Sequence, residues 1–324
     1  QKRPRRPKWG WRVALGITFA MCGVAVEAQQ QTKISRIGYL HGASLSTMAA
    51  RNEAFRQGLR ALGYVEGKNI VIEWRYAEGK PDRLPALAAE LVGLKVDIIV
   101  SAGAAVTRAA KEATSTIPIV MTNEADPVGT GVVASLARPG GNITGLSTLS
   151  PELSGKQLEL LKEVVPRLSR VAVLGTSTNP GYAQTLKEIE LAAGALKVKL
   201  QYLDVLEAKD LETAFRAASK GKAGAVLWLV AGGFANAHRT EIVEFALKSR
   251  LPVMFDRSEF IEAGGLMSYG VNQTDLDRRA ATFVDKILKG RTPADLPVEQ
   301  PMKFEFIVNL QAAKKIGLTI PPNV

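Results

Sequence analysis

The chain reads as an α/β protein built from two similar lobes facing each other across a cleft, and three observations point that way. Pro118 and Pro252, each opening an apolar strand, stand 134 residues apart, and the runs Ile37-Gly38-Tyr39-Leu40 and Val171-Ala172-Val173-Leu174 are separated by the same interval. Each half alternates strand and helix patterns and closes on a turn rich in Gly, Ser and Asn. The length, 324 residues with 46% apolar content, suffices for two cores of about 100 to 150 residues each.

Residues 36–41 form a compact β-rich run. In residues 46–62, Ala50, Ala54, Phe55, Leu59 and Leu62 recur at the three-and-four spacing of a helix, which Gly63 stops. Residues 69–76 alternate Ile70, Ile72 and Trp74 as a strand does, and residues 81–92 return to helical spacing with Leu84, Leu87, Ala88 and Leu91 on one side. Asp97-Ile98-Ile99-Val100 is apolar without alternation, as suits a parallel strand covered on both faces. Ser101-Ala102-Gly103-Ala104-Ala105 then opens a helix over residues 106–113. Residues 117–121 make the next strand, Asp126-Pro127-Val128-Gly129 turns into another short helix, and residues 142–148 close the first lobe.

The second lobe repeats the order, with strands at 170–174, 199–205, 224–230, 252–255 and 265–270 and helices at 180–196, 208–219 and 236–248. The organisation expected is a leader at 1–28, an N-terminal lobe at 33–148, a crossover at 149–168, a C-terminal lobe at 169–271, and a return crossover, hinge and tail at 272–324. A third passage follows residues 293–301 toward the strand-like residues 303–308. Three strands of passage make a hinge that bends but resists twisting.

The net charge is +11, of which Lys2, Arg3, Arg5, Arg6, Lys8 and Arg12 against Glu27 supply +5, so the body is mildly basic. Its Lys and Arg alternate with Asp and Glu along helices, as in residues 187–190, and are not gathered into a stripe with stacking aromatics. Nucleic acid is therefore not the expected partner. The first 28 residues show the zones of an export signal: basic residues, an apolar stretch at 13–26, and Val26-Glu27-Ala28 as a small-residue ending. Cleavage after Ala28 and a periplasmic location are expected. About 14 apolar residues fall short of the roughly 20 that span a bilayer. The one cysteine, Cys22, lies in the apolar stretch, leaving the mature body without a thiol. Lipid attachment at Cys22 is the alternative, but Phe19-Ala20-Met21 lacks the small residue that lipoprotein signals place beside the cysteine.

In open parallel sheets ligands collect beyond the carboxyl ends of strands, where helix N-termini present free N–H groups that favour anions. On the first lobe those ends hold Ser44, then Ser101, Ala102 and Gly103, then Asn123 and Asp126; small residues there let a ligand approach the backbone, and the two serines offer hydroxyls. The competing reading is ordinary capping and turn formation. On the second lobe the equivalent turns hold Asn179, Gly232, Asp256 and Tyr269. Asp256 is placed to accept a ligand ammonium unless it pairs with Arg257. Tyr269 is placed to stack on a ring unless it packs in the hinge. His41 ends the first strand at the cleft, while His238 falls on a helix.

Three long ordered runs carry a family resemblance. They are Ala125-Asp126-Pro127-Val128-Gly129 through Ala137-Arg138-Pro139-Gly140-Gly141-Asn142-Ile143-Thr144-Gly145, then Ala263-Gly264-Gly265-Leu266-Met267-Ser268-Tyr269-Gly270, and Ala294-Asp295-Leu296-Pro297-Val298-Glu299-Gln300-Pro301. From about residue 33 to 322 the chain resembles the ABC-transporter substrate-binding proteins related to tryptophan and tyrosine uptake receptors. The resemblance implies the periplasmic-binding-protein type I fold, two Rossmann-like lobes joined by a three-stranded hinge. It implies capture of a small-molecule ligand, an amino acid or related carboxylate, and delivery to an ABC permease with a cytoplasmic ATPase, which is the only membrane contact. An exported sensor reporting occupancy to a membrane signalling protein is the alternative.

Catalytic readings find little to build on. His41 and His238 are the only histidines, no HExxH spacing occurs, and neither a GxxxxGK[ST] loop, a Gly-x-Ser-x-Gly elbow nor GxGxxG is present. No cofactor or metal is expected.

Overall fold

Consecutive strand residues point to opposite faces, so Ile37 and Tyr39 enter one core while Leu40 enters another. The computed structural model describes residues 34–230, 232–301 and 303–322. The expected leader, its cleavage point after Ala28 and Cys22 lie outside the described residues.

The first lobe runs β1 (Ser35–His41), α1 (Leu45–Ala61), β2 (Ile70–Tyr76), a 3-10 turn at Pro81–Arg83, α2 (Leu84–Gly93), β3 (Ile98–Ala102), α3 (Ala104–Ala113), β4 (Ile119–Glu124) and β5 (Ile143–Ser147). Its five parallel strands lie in the order β2-β1-β3-β4-β5. The second runs α4 (Ser150–Val164), β6 (Arg170–Gly175), α5 (Tyr182–Leu196), β7 (Lys199–Asp204), α6 (Ala208–Lys220), β8 (Ala225–Trp228), α7 (Gly232–Ala237), α8 (Arg239–Ser249), β9 (Val253–Phe255), α9 (Glu259–Glu262) and β10 (Met267–Val271). The chain ends with α10 (Gln273–Leu288), a 3-10 turn at Pro293–Asp295, β11 (Phe304–Val308) and α11 (Leu310–Ile316). The second sheet, β11-β10-β9-β8-β6-β7, repeats the order of the first, with β11 added antiparallel at its edge. The 134-residue interval matches β1 to β6 and β4 to β9.

Each sheet is covered on both faces. One face of the first packs under α1 and α10 through Tyr39, Phe55, Leu59, Ile72, Leu276 and Phe283. The other packs under α2 and α3 through Leu84, Leu91, Ile99, Val106 and Met121. Trp228, Phe255 and Phe260 centre one core of the second lobe, and Leu158, Leu161, Val173 and Met254 the other.

Where the structure departs from sequence expectation, long-range packing is the cause. The crossover expected at 149–168 is mostly α4, whose Leu158, Leu161 and Val164 pack into the second lobe, so the passage itself is confined to Thr148 and Leu149. The return passage leads straight into α10, which lies on the first lobe against α1, β4 and β5. Glu299 then bonds into that sheet, its N–H to the Gly145 carbonyl at 2.9 Å, before β11 joins the second. Among the described residues the chain thus passes between the sheets three times. The face of α1 is Met48, Arg51, Asn52, Ala54, Phe55, Gly58 and Leu59, with Ala50 and Leu62 exposed, because α10 approaches at Gly58. A Cβ at Gly58 would overlap the Arg278 carbonyl and lie 2.8 Å from the Ala281 methyl. No helix follows Asp126: residues 127–141 form turns, since Pro127, Pro139 and left-handed Gly131 and Gly140 break the helical ladder. The helix expected at 236–248 is two, α7 and α8, parted at His238.

Candidate ligand-binding site

The carboxyl ends of the two sheets face one another across a cavity of about 360 Å³. The lobes touch at its lip. A Cβ on Gly233 would overlap the Gly42 carbonyl, the Gly79 and Thr130 edges reach Ala237 and Gly181, and the clamp is therefore closed.

The first-lobe wall combines the small residues Gly42, Ala43, Ala102, Gly103, Ala104 and Ala105 with the larger side chains of Met48, Arg51, Leu84 and Arg108. Gly103, at φ 103°, caps α3 without a side chain, and no acidic residue occupies the first turn of that helix. Gly181 likewise caps α5 on the second lobe with no side-chain bond and no acid in the first turn. Two uncapped helix N-termini thus border the cavity, each carrying partial positive charge and free N–H groups. The second-lobe wall adds the apolar bodies of Pro180, Tyr182, Leu206 and Phe234. The slot between the small residues of the first wall and the aromatic bodies of the second suits a flat apolar body with a carboxylate at its end.

Of the sequence candidates, Ala102, Gly103 and Asn123 on the first lobe and Asn179, Gly232 and Asp256 on the second line the cavity. Four do not. Ser44 is the N-cap of α1, accepting from the Thr47 N–H. Ser101 is fully buried, its hydroxyl paired with that of Thr107 at 2.9 Å. Asp126 accepts from the Gly129 N–H at 2.8 Å and shapes the turn. Tyr269 packs against Phe304 and Phe306 of β11, while its carbonyl accepts from Gln157, which makes it a hinge residue. In each case the local backbone had an unmet hydrogen-bonding or packing need that the side chain fills.

Asp256 lines the cavity but is held by its neighbour: Arg257 Nε and Nη2 reach its two oxygens at 3.0 and 2.7 Å. Arg257 is buried and also donates to Asn236 Oδ1 at 3.2 Å. The ammonium-accepting role expected of Asp256 therefore competes with a bidentate ion pair.

Sequence reasoning missed Arg51, Gln273, Gln157, Asn236 and Tyr182, all of which line the cavity. Arg51 Nε pairs with Asp277 Oδ2, and the Tyr39 hydroxyl donates to Asp277 Oδ1 at 2.6 Å. Burial works against the Arg51 charge, but Asp277 more than restores it and leaves the guanidinium a stronger base than usual. Burial and the neighbouring Asp277 raise the Tyr39 hydroxyl well above its ordinary range. Gln273 Oε1 accepts from Asn123 Nδ2 at 3.2 Å, tying the start of α10 to the end of β4. His41 is buried, and burial together with Arg51 holds its ring neutral, well below the ordinary histidine range, with Asn52 opposing weakly.

Two wound lobes closed on a cavity, with three passes of chain between them, define a solute-binding protein of periplasmic-binding-protein type I architecture, and solved structures share that fold. The chain belongs to the ABC transporter substrate binding protein family, whose sequence profile matches residues 40–324. This is a family of binding proteins, not enzymes. A tyrosine-binding protein of Clostridioides difficile (strain R20291) is 25% identical over 267 residues, 82% of this chain and 76% of the relative. A conserved domain protein of Vibrio cholerae superposes with a TM-score of 0.84 at 28% identity, covering 90% of this chain and 97% of that one. A Streptococcus pneumonia ABC domain in complex with L-Trp superposes at 0.80 with 25% identity, covering 89% and 97%.

Proposed function

We propose that this chain is the extracytoplasmic component of an ABC import system, receiving a small carboxylate with a flat apolar body between its lobes and handing it to a permease driven by a cytoplasmic ATPase. The reading is carried by the two uncapped helix N-termini, of α3 and α5, bordering one closed cavity whose second wall is aromatic. A carboxylate there accepts backbone N–H groups and sits at the positive ends of two helix dipoles. Gly103 and Asn123 on one lobe, and Asn179 and Gly232 on the other, are the proposed contacts, with Asp256 and Arg257 at the polar rim. The relatives named for tyrosine and crystallised with L-Trp support an aromatic amino acid or aromatic acid as the class. Family membership and the export-signal pattern of residues 1–28 support a periplasmic location, and no helix among the described residues is long and apolar enough to cross a membrane. Closure follows from the ligand's greater affinity for the closed form.

Thermal-shift screening of the chain without its leader against amino acids, aromatic acids and nucleosides tests the reading. Carboxylates are expected to raise the melting temperature. A sole strong hit lacking a carboxylate overturns the anion assignment.

A further inference from the structure

Four aromatic rings lie nearly parallel across β1 and β2, where Tyr39 is registered opposite Trp74 and His41 opposite Tyr76. Tyr39 and His41 stack at 4.2 Å and 11°, His41 and Tyr76 at 5.4 Å and 3°, and Tyr39 and Trp74 at 5.0 Å and 18°. Trp74 lies under the Arg56 guanidinium with its Nε1 unpaired, while Tyr39 and Tyr76 spend their polar atoms within the first lobe: Tyr39 donates to Asp277, and Tyr76 takes the Asn52 amide at 2.8 Å. His41 does not. It is the last residue of β1, it is fully buried, it lines the cavity, and neither Nδ1 nor Nε2 makes a well-formed hydrogen bond, although Asn52, whose Oδ1 is likewise unpaired, lies beside the ring. Leaving both nitrogens of a buried imidazole unmet costs stability that a merely structural ring at this position, such as phenylalanine, avoids.

We propose that His41 is a specificity-determining residue of the cleft, a polar subsite that hydrogen-bonds an uncharged hydroxyl on the ligand. A neutral imidazole offers one donor and one acceptor, and a hydroxyl is the small group that answers either. Arg51 and Asp277 form a compensated pair beside the ring, so this corner offers an unpaired counter-charge to neither an ammonium nor a second carboxylate. The stack fixes the ring's orientation, so the subsite is rigid. The inference rests on the carboxylate reading above, and specifies what the other end of that ligand carries.

Paired probes differing by one hydroxyl test it: benzoate with 4-hydroxybenzoate, and L-phenylalanine with L-tyrosine, titrated calorimetrically into the wild type and His41→Phe. The hydroxylated member of at least one pair is expected to bind about tenfold or more tightly to the wild type, with the ratio collapsing toward one in His41→Phe. Equal binding within every pair, or a preference that survives the substitution, overturns the His41 assignment while leaving the carboxylate reading standing. Failure of every probe to bind overturns both. If His41→Phe does not fold, ring ¹⁵N signals of the wild type decide. The chain has two histidines, and His238 is bonded to Glu241. Saturating 4-hydroxybenzoate or L-tyrosine must shift the His41 ring and spare His238; an unmoved His41 ring overturns the proposal.

Discussion

Glu124 is the last residue of β4, fully buried, and no well-formed hydrogen bond reaches either of its carboxylate oxygens. Burial, with a smaller contribution from Asp126, pushes its carboxyl up to about 7, although Thr107 and the Ala125 N–H pull the other way. An unfolded glutamate releases its proton near 4.5. Between these values the folded protein binds more protons than the unfolded one, so stability falls as pH rises through the window and levels off above it. The difference of 2.5 units (7 less 4.5) corresponds to about 3 kcal/mol once both forms are ionised. Glu124→Gln removes the charge and keeps the shape. Relative to the wild type, the variant is expected to gain about 3 kcal/mol on going from acid to pH 8, on the order of 6 °C or more in melting temperature. Melts of both proteins followed by circular dichroism between about pH 4 and about 8.5 at constant ionic strength measure this. Curves that stay parallel throughout refute the argument, because a constant offset reports only the amide's own fit.

Two further outcomes follow from packing. Asp277→Ala strands the Arg51 charge in the core and is expected to cost about 3 to 5 kcal/mol in denaturant titrations, whereas the joint change of Arg51→Met with Asp277→Leu costs far less; equal costs would mean that volume, not charge, matters there. Gly233→Ala is expected to hold the lobes apart, so that small-angle scattering with the strongest carboxylate of the screen shows the wild type contracting and the variant not. Gly42→Ala is the control, since its Cβ would sit 3.4 Å from the Gly233 nitrogen, an ordinary contact. Contraction in both variants would show that the lip does not limit closure.

The strands were legible because parallel strands covered on both faces read as unbroken apolar runs, and the loops at their carboxyl ends were legible because wound sheets gather ligands there. Hence Ala102, Gly103, Asn123, Asn179, Gly232 and Asp256, read as turn residues beyond strand ends, line the cavity. What stayed hidden depends on partners far along the chain. Arg51 meets Asp277 across 226 positions, and Gln273 meets Asn123 across 150. A signal did exist: Arg51 and Asn52 interrupt the stripe of Met48, Phe55 and Leu59 on α1, and a charged residue on an apolar helical face calls for a buried partner. Asp126 and Ser44 misled for the opposite reason, since the same residue types serve caps and turns as readily as ligands.

Because α10 supplies Leu276, Ala280, Phe283 and Val284 to the core beneath β1, the amino-terminal lobe stays unfinished until the ribosome has passed Val284. Vectorial synthesis then yields no early stable half, and a fragment cut at the first crossing would present a bare greasy trough where that helix belongs. Acquisition of structure by that lobe must wait for α10 and be dominated by contacts of high sequence separation.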